Sequence, residues 1–425
     1  MLAAPPIAIL DTLSAVDDAI DHNADLADAI FQLGLASFGL NEIPPNDDPE
    51  WDWHGKAKAN DISKAHSTIR QFYRDWSGEG FTLEVKPLLD TILSDLESHL
   101  PEVEENRGSP SLLLPGAGLA RLLLELCLRG YNVTGNEISY HQLLASNFIL
   151  NCTQHADQYA IYPFAHTFTN VVSRKNQLRR HTIPDVHPGI ALSTRLAAGE
   201  PVGEMNMTAG DFVLSYSTPE CTEMFDGVVS VFFIDTAPNL IRYIETVRNC
   251  LKKGGVWVNI GPLLWHFDDR APTGECDKDD ADESKDKTVS AHDHIESTHP
   301  HDHLPGSHHS HDRSSERQGS VHHPTHSHND GLRQGRRPDV AIEDKGIAEP
   351  GSFELSDEEV LQLVSQLGFE ITHHGILDDD DDCGDHPNAP PGSVRGLGVG
   401  LGYMQDPTSL LQNRYRCSHW VAKKT

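Results

Sequence analysis

The sequence has no cysteine pairing to read. Its seven cysteines, Cys127, Cys152, Cys221, Cys250, Cys276, Cys383 and Cys417, are odd in number and nowhere form a Cys-x-x-Cys spacing. That leaves no disulfide framework and fits a reduced intracellular compartment. Basic residues are scarce: Lys+Arg total 33 against 64 Asp+Glu, a formal net charge of −31. A large nucleic-acid or anionic-membrane surface needs a net basic face, so both partners are excluded on charge. No apolar run approaches the roughly 18 residues a membrane span requires. The opening MLAAPPIAILDTLSAVDDAI carries Asp11 and Asp17 and no basic segment, which argues against a secretory signal. The expectation is a soluble, non-secreted protein. With only 38% apolar and 7% aromatic residues, part of the chain is expected never to pack.

What is present divides into zones. Residues 1–50 read as an N-terminal extension ending in the loop-like NEIPPNDDPEWDW, and 51–105 as a helical cap. There Ile62, Ala65, Ile69, Phe72 and Trp76 recur at helical spacing. From 106 to 267 short apolar runs (SLLLPGAG, YNVTGNE, FDGVVSVFFID, GVWVNIG) alternate with helical stretches, the pattern of βαβ units on a parallel sheet. The fold class expected is α/β: a Rossmann-like sheet with helices on both faces. Residues 268–350 hold 12 of the chain's 26 histidines and almost no large apolar side chains, so they read as a disordered His/Asp-rich insert. Folded sequence resumes over 351–425 with a capped helix, Ser356 as N-cap and Glu359 three residues on, a strand, the irregular LDDDDDCGDHPNAPPGSVRGLGVGLG, and a last strand in RYRCSHWVAKK. The length alone allows two or three domains; the composition assigns one Rossmann-like domain with an extension and an inserted linker.

A nucleoside site is written into the first βα unit. Leu112–Leu114 form a strand, Pro115-Gly116-Ala117-Gly118 a turn whose glycines let the backbone approach a ligand, and a helix is expected from Leu119 with its free N–H groups aimed at the turn. A second strand, Tyr131–Gly135, leads to Glu137, an acid placed to accept both ribose hydroxyls. The dinucleotide fingerprint Gly-x-Gly-x-x-Gly fails at its third glycine, which here is Arg121. The short form suits S-adenosylmethionine, which has a ribose and no phosphate. The alternative is a tight structural turn beside a solvated acid. Asp211 and Phe212 fall after a third strand, where they can bond an adenine amine and stack on its ring. Asp235 follows the apolar VFFI at the end of a fourth strand, and an ionised carboxylate there needs a partner.

Taken together, LLLPGAGLARLLLELCLRGYNVTGNEIS, SNFILN, MTAGDF, VFFIDTAPNLIRYIETV and LKKGGVWVNIGPLLWHF resemble the carnosine N-methyltransferase family, and QFYRDWS resembles that family's N-terminal helical motif. The resemblance runs over about residues 54–267, 352–373 and 413–423. It implies a class I methyltransferase sheet, S-adenosylmethionine as cofactor, and transfer of a methyl group to the imidazole of carnosine, giving anserine, or of a related histidine-containing dipeptide. Residue by residue it implies Gln71, Arg74, Gly116, Gly118, Glu137, Asp211 and Phe212 at the cofactor, and Asp235, His266 and Tyr415 at the acceptor. Around Tyr415 the chain departs from the tyrosine-richer family pattern, reading Asn413-Arg414-Tyr415-Arg416.

Three rival readings remain. One is a methyltransferase of the same fold acting on protein histidine or another small molecule, with Arg174, Lys175, Arg179 and Arg180 as a carboxylate-binding face. The second is a nicotinamide-dependent oxidoreductase, disfavoured by Arg121. The third is metal buffering by HDHIESTHPHDH and SHHSH, where imidazoles without cysteines or regular spacing specify no single structural site, so weak metal binding is the most the insert implies. No metal site is assigned. A cytoplasmic protein is expected, with the nucleus as a second location, and a homodimer is left open.

Overall fold

Apolar runs without polar alternation need cover on both faces, and such runs in this chain form a single central sheet. The computed structural model describes residues 2–40, 55–100, 108–265, 353–377 and 402–425. The expected insert, the second irregular stretch and His266 lie outside the described residues. The main strands are β1 (Ser111–Pro115), β2 (Asn132–Glu137), β5 (Met205–Ala209), β6 (Phe225–Val231), β7 (Leu251–Gly261), β8 (Phe369–Leu377) and β9 (Cys417–Lys424); β3 (Tyr159–Ile161) and β4 (His181–Ile183) form a separate two-stranded ribbon. The sheet order is β5-β2-β1-β6-β7-β9-β8. The first five are parallel, while β9 runs antiparallel to both β7 and β8, between which it lies.

That last strand decides between two sheets that share their first half. The dinucleotide-binding sheet continues outward with parallel strands, whereas here the final strand is slotted in antiparallel before the outer one, the class I methyltransferase arrangement. Side-chain alternation explains how the sheet is covered. Leu113, Val228, Trp257 and Trp420 point to one face, covered by α6 (Leu240–Cys250) and α7 (Asp357–Gln366). Leu112, Leu114, Val229, Val256 and Val421 point to the other, covered by α3 (Lys86–His99) and α4 (Arg121–Cys127).

A third cluster builds the helical cap. Leu26 of α1 (Ile9–Phe38) packs with Ile69, Phe72, Tyr73 and Trp76 of α2 (Ala59–Trp76), with Ala145, Phe148 and Ile149 of α5 (Tyr140–Asn151), and with Ile161 and Ile183 of the ribbon. The expected apolar stripe of α2 is buried only from Ile69 onward; Ile62 is 53% exposed. The extension expected over 1–50 contains the 30-residue α1, whose acids lie on its outer side. The capping box at Ser356 and Glu359 is present as expected.

The helix after the glycine turn begins later than the sequence suggests. Leu119 and Ala120 precede it, Ala120 takes a left-handed backbone (φ 62°), and α4 starts at Arg121. Arg121 explains the missing glycine. Its buried guanidinium bonds Glu125 (3.0 Å), Asp185 (2.6 Å) and the Asp75 carbonyl (2.8 Å), and lies over the Phe81 ring at 3.9 Å. A glycine there would close helix on strand; the arginine instead ties the Rossmann-like domain to the cap.

Candidate active site

At the carboxyl ends of β1, β2 and β6 a cavity of about 650 Å³ opens, within the range that holds a small ligand. Of the residues expected at a cofactor, Gln71, Arg74, Gly116, Gly118, Glu137 and Phe212 all line it. Gly116 and Gly118 have positive φ (69° and 54°), and a Cβ on Gly116 would lie 2.8 Å from the Phe233 ring. The glycines are therefore required by the turn's backbone as well as by a ligand's approach. Glu137 is the last residue of β2 and is 7% exposed. Its Oε2 accepts the Gly118 N–H at 3.0 Å, and its Oε1 accepts those of Ile138 (3.0 Å) and Ser139 (2.8 Å). Three N–H donors fix the carboxylate and aim it along the strand end, where ribose hydroxyls can share its remaining lone pairs.

The cap supplies the other wall. Gln71 and Arg74 project from the last turns of α2. The Gln71 Oε1 is buried without a hydrogen-bond partner among the described residues, an acceptor waiting for a donor. Arg74 forks onto its neighbour Asp75 (2.6 and 2.9 Å) and lies over the Tyr403 ring at 5.3 Å. A glycine turn with no room for a Cβ, a fixed ribose acid, an orphan acceptor and a guanidinium together fit S-adenosylmethionine.

Other expected residues stand apart from that lining. Asp211 accepts the Leu214 N–H at 2.9 Å and caps a single helical turn, Phe212–Tyr216; only its neighbour Phe212 reaches the cavity. The cap bond engages the Oδ1 of Asp211. β6 ends at Val231, and Asp235 follows in the turn Ile234–Thr236, 1% exposed, its Oδ2 accepting the Leu264 N–H at 3.0 Å. Its chain neighbours Phe233 and Thr236 line the cavity. Tyr415 precedes β9, which begins at Cys417 within the expected RYRCSHWVAKK, and packs edge-on against Phe232 and Tyr403. Burial raises the Tyr415 hydroxyl pKa, with Tyr403 and Asp235 adding to it. Burial and Asp235 push the Cys417 thiol up to about 12. The basic residues read as a carboxylate-binding face are partly spent: Arg179 bonds Glu79 (2.6 Å) and Arg174 bonds Gln177 (2.5 Å).

Sequence reasoning missed Tyr403, Phe232 and Glu84, all cavity-lining. Phe232 is hidden in an apolar run that reads as core. Tyr403 is an isolated aromatic beside a glycine-rich stretch, a signal that could have been noticed. Glu84 sits in the helical π-turn Phe81–Val85 and belongs to no motif.

The carnosine N-methyltransferase family model matches residues 51–380. The chain belongs to that family. Among curated relatives, the carnosine N-methyltransferase of Schizosaccharomyces pombe is 36% identical over 263 residues, 61% of this chain and 65% of the relative. The rat carnosine N-methyltransferase is 37% identical over 262 residues, 61% of each chain. The Drosophila melanogaster carnosine N-methyltransferase unmet is 40% identical over 212 residues, 49% of this chain and 43% of the relative. The chain thus spans less than two thirds of the length of these relatives. The carnosine N-methyltransferase span encloses the α2 wall, the glycine turn, Glu137 and Asp235, while Tyr403 and Tyr415 lie beyond it.

Proposed function

We propose that this chain transfers the methyl group of S-adenosylmethionine to an imidazole nitrogen of carnosine, giving anserine, or of a related histidine-containing dipeptide. The observation that carries this reading is the family match over residues 51–380, which contains the α2 wall, the glycine turn, Glu137 and Asp235. When bound, S-adenosylmethionine supplies an electrophilic methyl group on a sulfonium centre.

The residues of the chain have four tasks. Glu137 accepts the ribose hydroxyls, and the Gly116–Gly118 turn lets its backbone close on the nucleoside. Phe212 offers a ring face. Arg74 and Gln71 take the amino-acid end. The acceptor needs positioning more than deprotonation, since an imidazole with a reference pKa near 6.5 is mostly neutral at about pH 7. Holding one ring nitrogen in line with the methyl group can remove several kcal/mol from the barrier. Asp235, fixed by the Leu264 N–H, holds the proton on the other ring nitrogen. That selects the tautomer and stabilises the positive charge that develops on the ring. Tyr415 and His266 orient the rest of the acceptor.

Two measurements test this. Single-turnover methyl transfer by Asp235→Asn should fall by about 100-fold or more, with S-adenosylhomocysteine affinity within about three-fold of wild type; a rate within about three-fold of wild type rules the role out. S-adenosylhomocysteine should raise the melting temperature and NAD should not. Stabilisation by NAD alone would overturn the reading.

A further inference from the structure

The C-terminal segment ahead of β9 reaches the cavity and touches both halves of the site. Gly402 and Tyr403 line the cavity. Next to them, the Met404 and Gln405 N–H groups donate to the Glu84 carboxylate at 2.6 and 3.3 Å, which pins the segment to the cap. Glu84 is buried (7% exposed), so these two bonds are made away from water, where they count most. At its far end the same segment leads into Tyr415.

Tyr403 contacts one residue on the cofactor side and two on the acceptor side. On the cofactor side, the Arg74 guanidinium lies 5.3 Å from the centre of its ring. On the acceptor side, its ring stacks on Phe232 at 4.8 Å with 21° between planes, and meets Tyr415 edge-on at 6.3 Å. Phe232 in turn reaches Tyr415 at 6.5 Å. Two non-glycine residues at this junction have positive φ: Phe232 just after β6 (51°) and Met404 beside Tyr403 (52°). Each such conformation is costly for a non-glycine residue and persists only where the surroundings impose it. Strain at one junction, from two separate segments, marks an arrangement kept for geometry rather than stability.

We propose that Tyr403 is a positioning residue that couples the two halves of the site: by holding Arg74 and Phe232 at once, it makes cofactor and acceptor bind as one unit. This rests on the functional reading above, with Arg74 on the amino-acid end of the cofactor and Tyr415 on the acceptor. A cofactor that draws Arg74 into place fixes the Tyr403 ring, and the fixed ring sets Phe232 and Tyr415 for the acceptor. Such coupling is reciprocal, so each ligand must tighten the other by the same factor.

The test is a calorimetric titration of the full chain with carnosine, with and without saturating S-adenosylhomocysteine, and with the ligands in the reverse order, for wild type, Tyr403→Phe and Tyr403→Ala. Wild type should bind carnosine about ten-fold or more tightly with S-adenosylhomocysteine present, with the same factor in either order. Tyr403→Phe keeps the ring and should keep the factor; Tyr403→Ala should reduce it below about three-fold. A merely structural loss would weaken both affinities and leave their ratio intact. An unchanged ratio in Tyr403→Ala, or a ratio near one in wild type, overturns the proposal. Failure of wild type to bind either ligand would instead sink the functional reading.

Discussion

Glu137 holds the backbone N–H of Gly118 on its Oε2 at 3.0 Å, so the acid that ends β2 and the glycine turn that follows β1 form one unit. The same carboxylate takes two more N–H groups on its Oε1. Its shape and charge therefore serve the loop and the ligand together. Replacing it should cost affinity and local order in the same step. We expect Glu137→Gln to weaken S-adenosylhomocysteine binding by about ten-fold or more, since a charge-assisted acceptor becomes a neutral one that also presents a donor to N–H groups. Calorimetric titration measures this directly; affinity within two-fold of wild type would remove Glu137 from the ribose.

Gly116→Ala should be more damaging than its size suggests. The backbone is left-handed there, and the added methyl would lie 2.8 Å from the Phe233 ring. Strain of about 1–3 kcal/mol is expected, together with a displaced Phe233 at the cavity wall. Thermal unfolding with and without S-adenosylhomocysteine should show a lowered melting temperature and a reduced ligand-induced shift.

Arg121 makes a prediction about what the chain is not. The substitution Arg121→Gly completes the Gly-x-Gly-x-x-Gly pattern, yet it strips Asp185 and Glu125 of a buried partner. Removing one partner of a buried ion pair costs about 3–5 kcal/mol. The variant should melt roughly 10 °C lower and gain no NAD binding, which differential scanning calorimetry with and without NAD checks.

His181 predicts how stability depends on pH. It is buried, and burial together with Arg179 lowers its pKa to about 4. Glu79 approaches at 3.7 Å, but its other oxygen is taken by Arg179 at 2.6 Å, so burial and the arginine prevail. The folded value lies below the unfolded one of about 6.5. The unfolded chain therefore binds the proton first as pH falls, and the stability His181 contributes is complete above about pH 6.5 and is lost on the way down to about pH 4. His166, also lowered to about 4 by burial, acts in the same direction. Melting temperature followed from pH 7 to pH 4.5 should fall less steeply in His181→Gln than in wild type.

Much of the first βα unit was legible in the sequence because its demands are local. Gly116 and Gly118 are needed for their own φ, Glu137 for the N–H groups of the two residues after it and of Gly118 in the same βα unit, and the Ser356–Glu359 capping box for its own helix. What could not be read depends on distant partners. Tyr403 gains its role from Arg74, more than three hundred residues earlier, and from the strained Phe232. Asp211 also caps a short turn, which depends on where the following chain folds back. The helix start reads too early because Ala120, unlike a glycine, gives no warning of a left-handed backbone. In α1 the repeated aspartates obscure an apolar stripe whose partner, α5, lies far along the chain.

The most direct measurement is a mass-spectrometric methyl-transfer assay with S-adenosylmethionine, presenting carnosine, free histidine and a histidine-containing peptide side by side, with the modified atom located by fragmentation. Carnosine should gain one methyl group on its imidazole, and Asp235→Asn should abolish most of that product. Methylation of the peptide with none of carnosine would contradict the assignment of the acceptor while keeping imidazole methyl transfer, and no methyl transfer to any of the three would contradict the account as a whole.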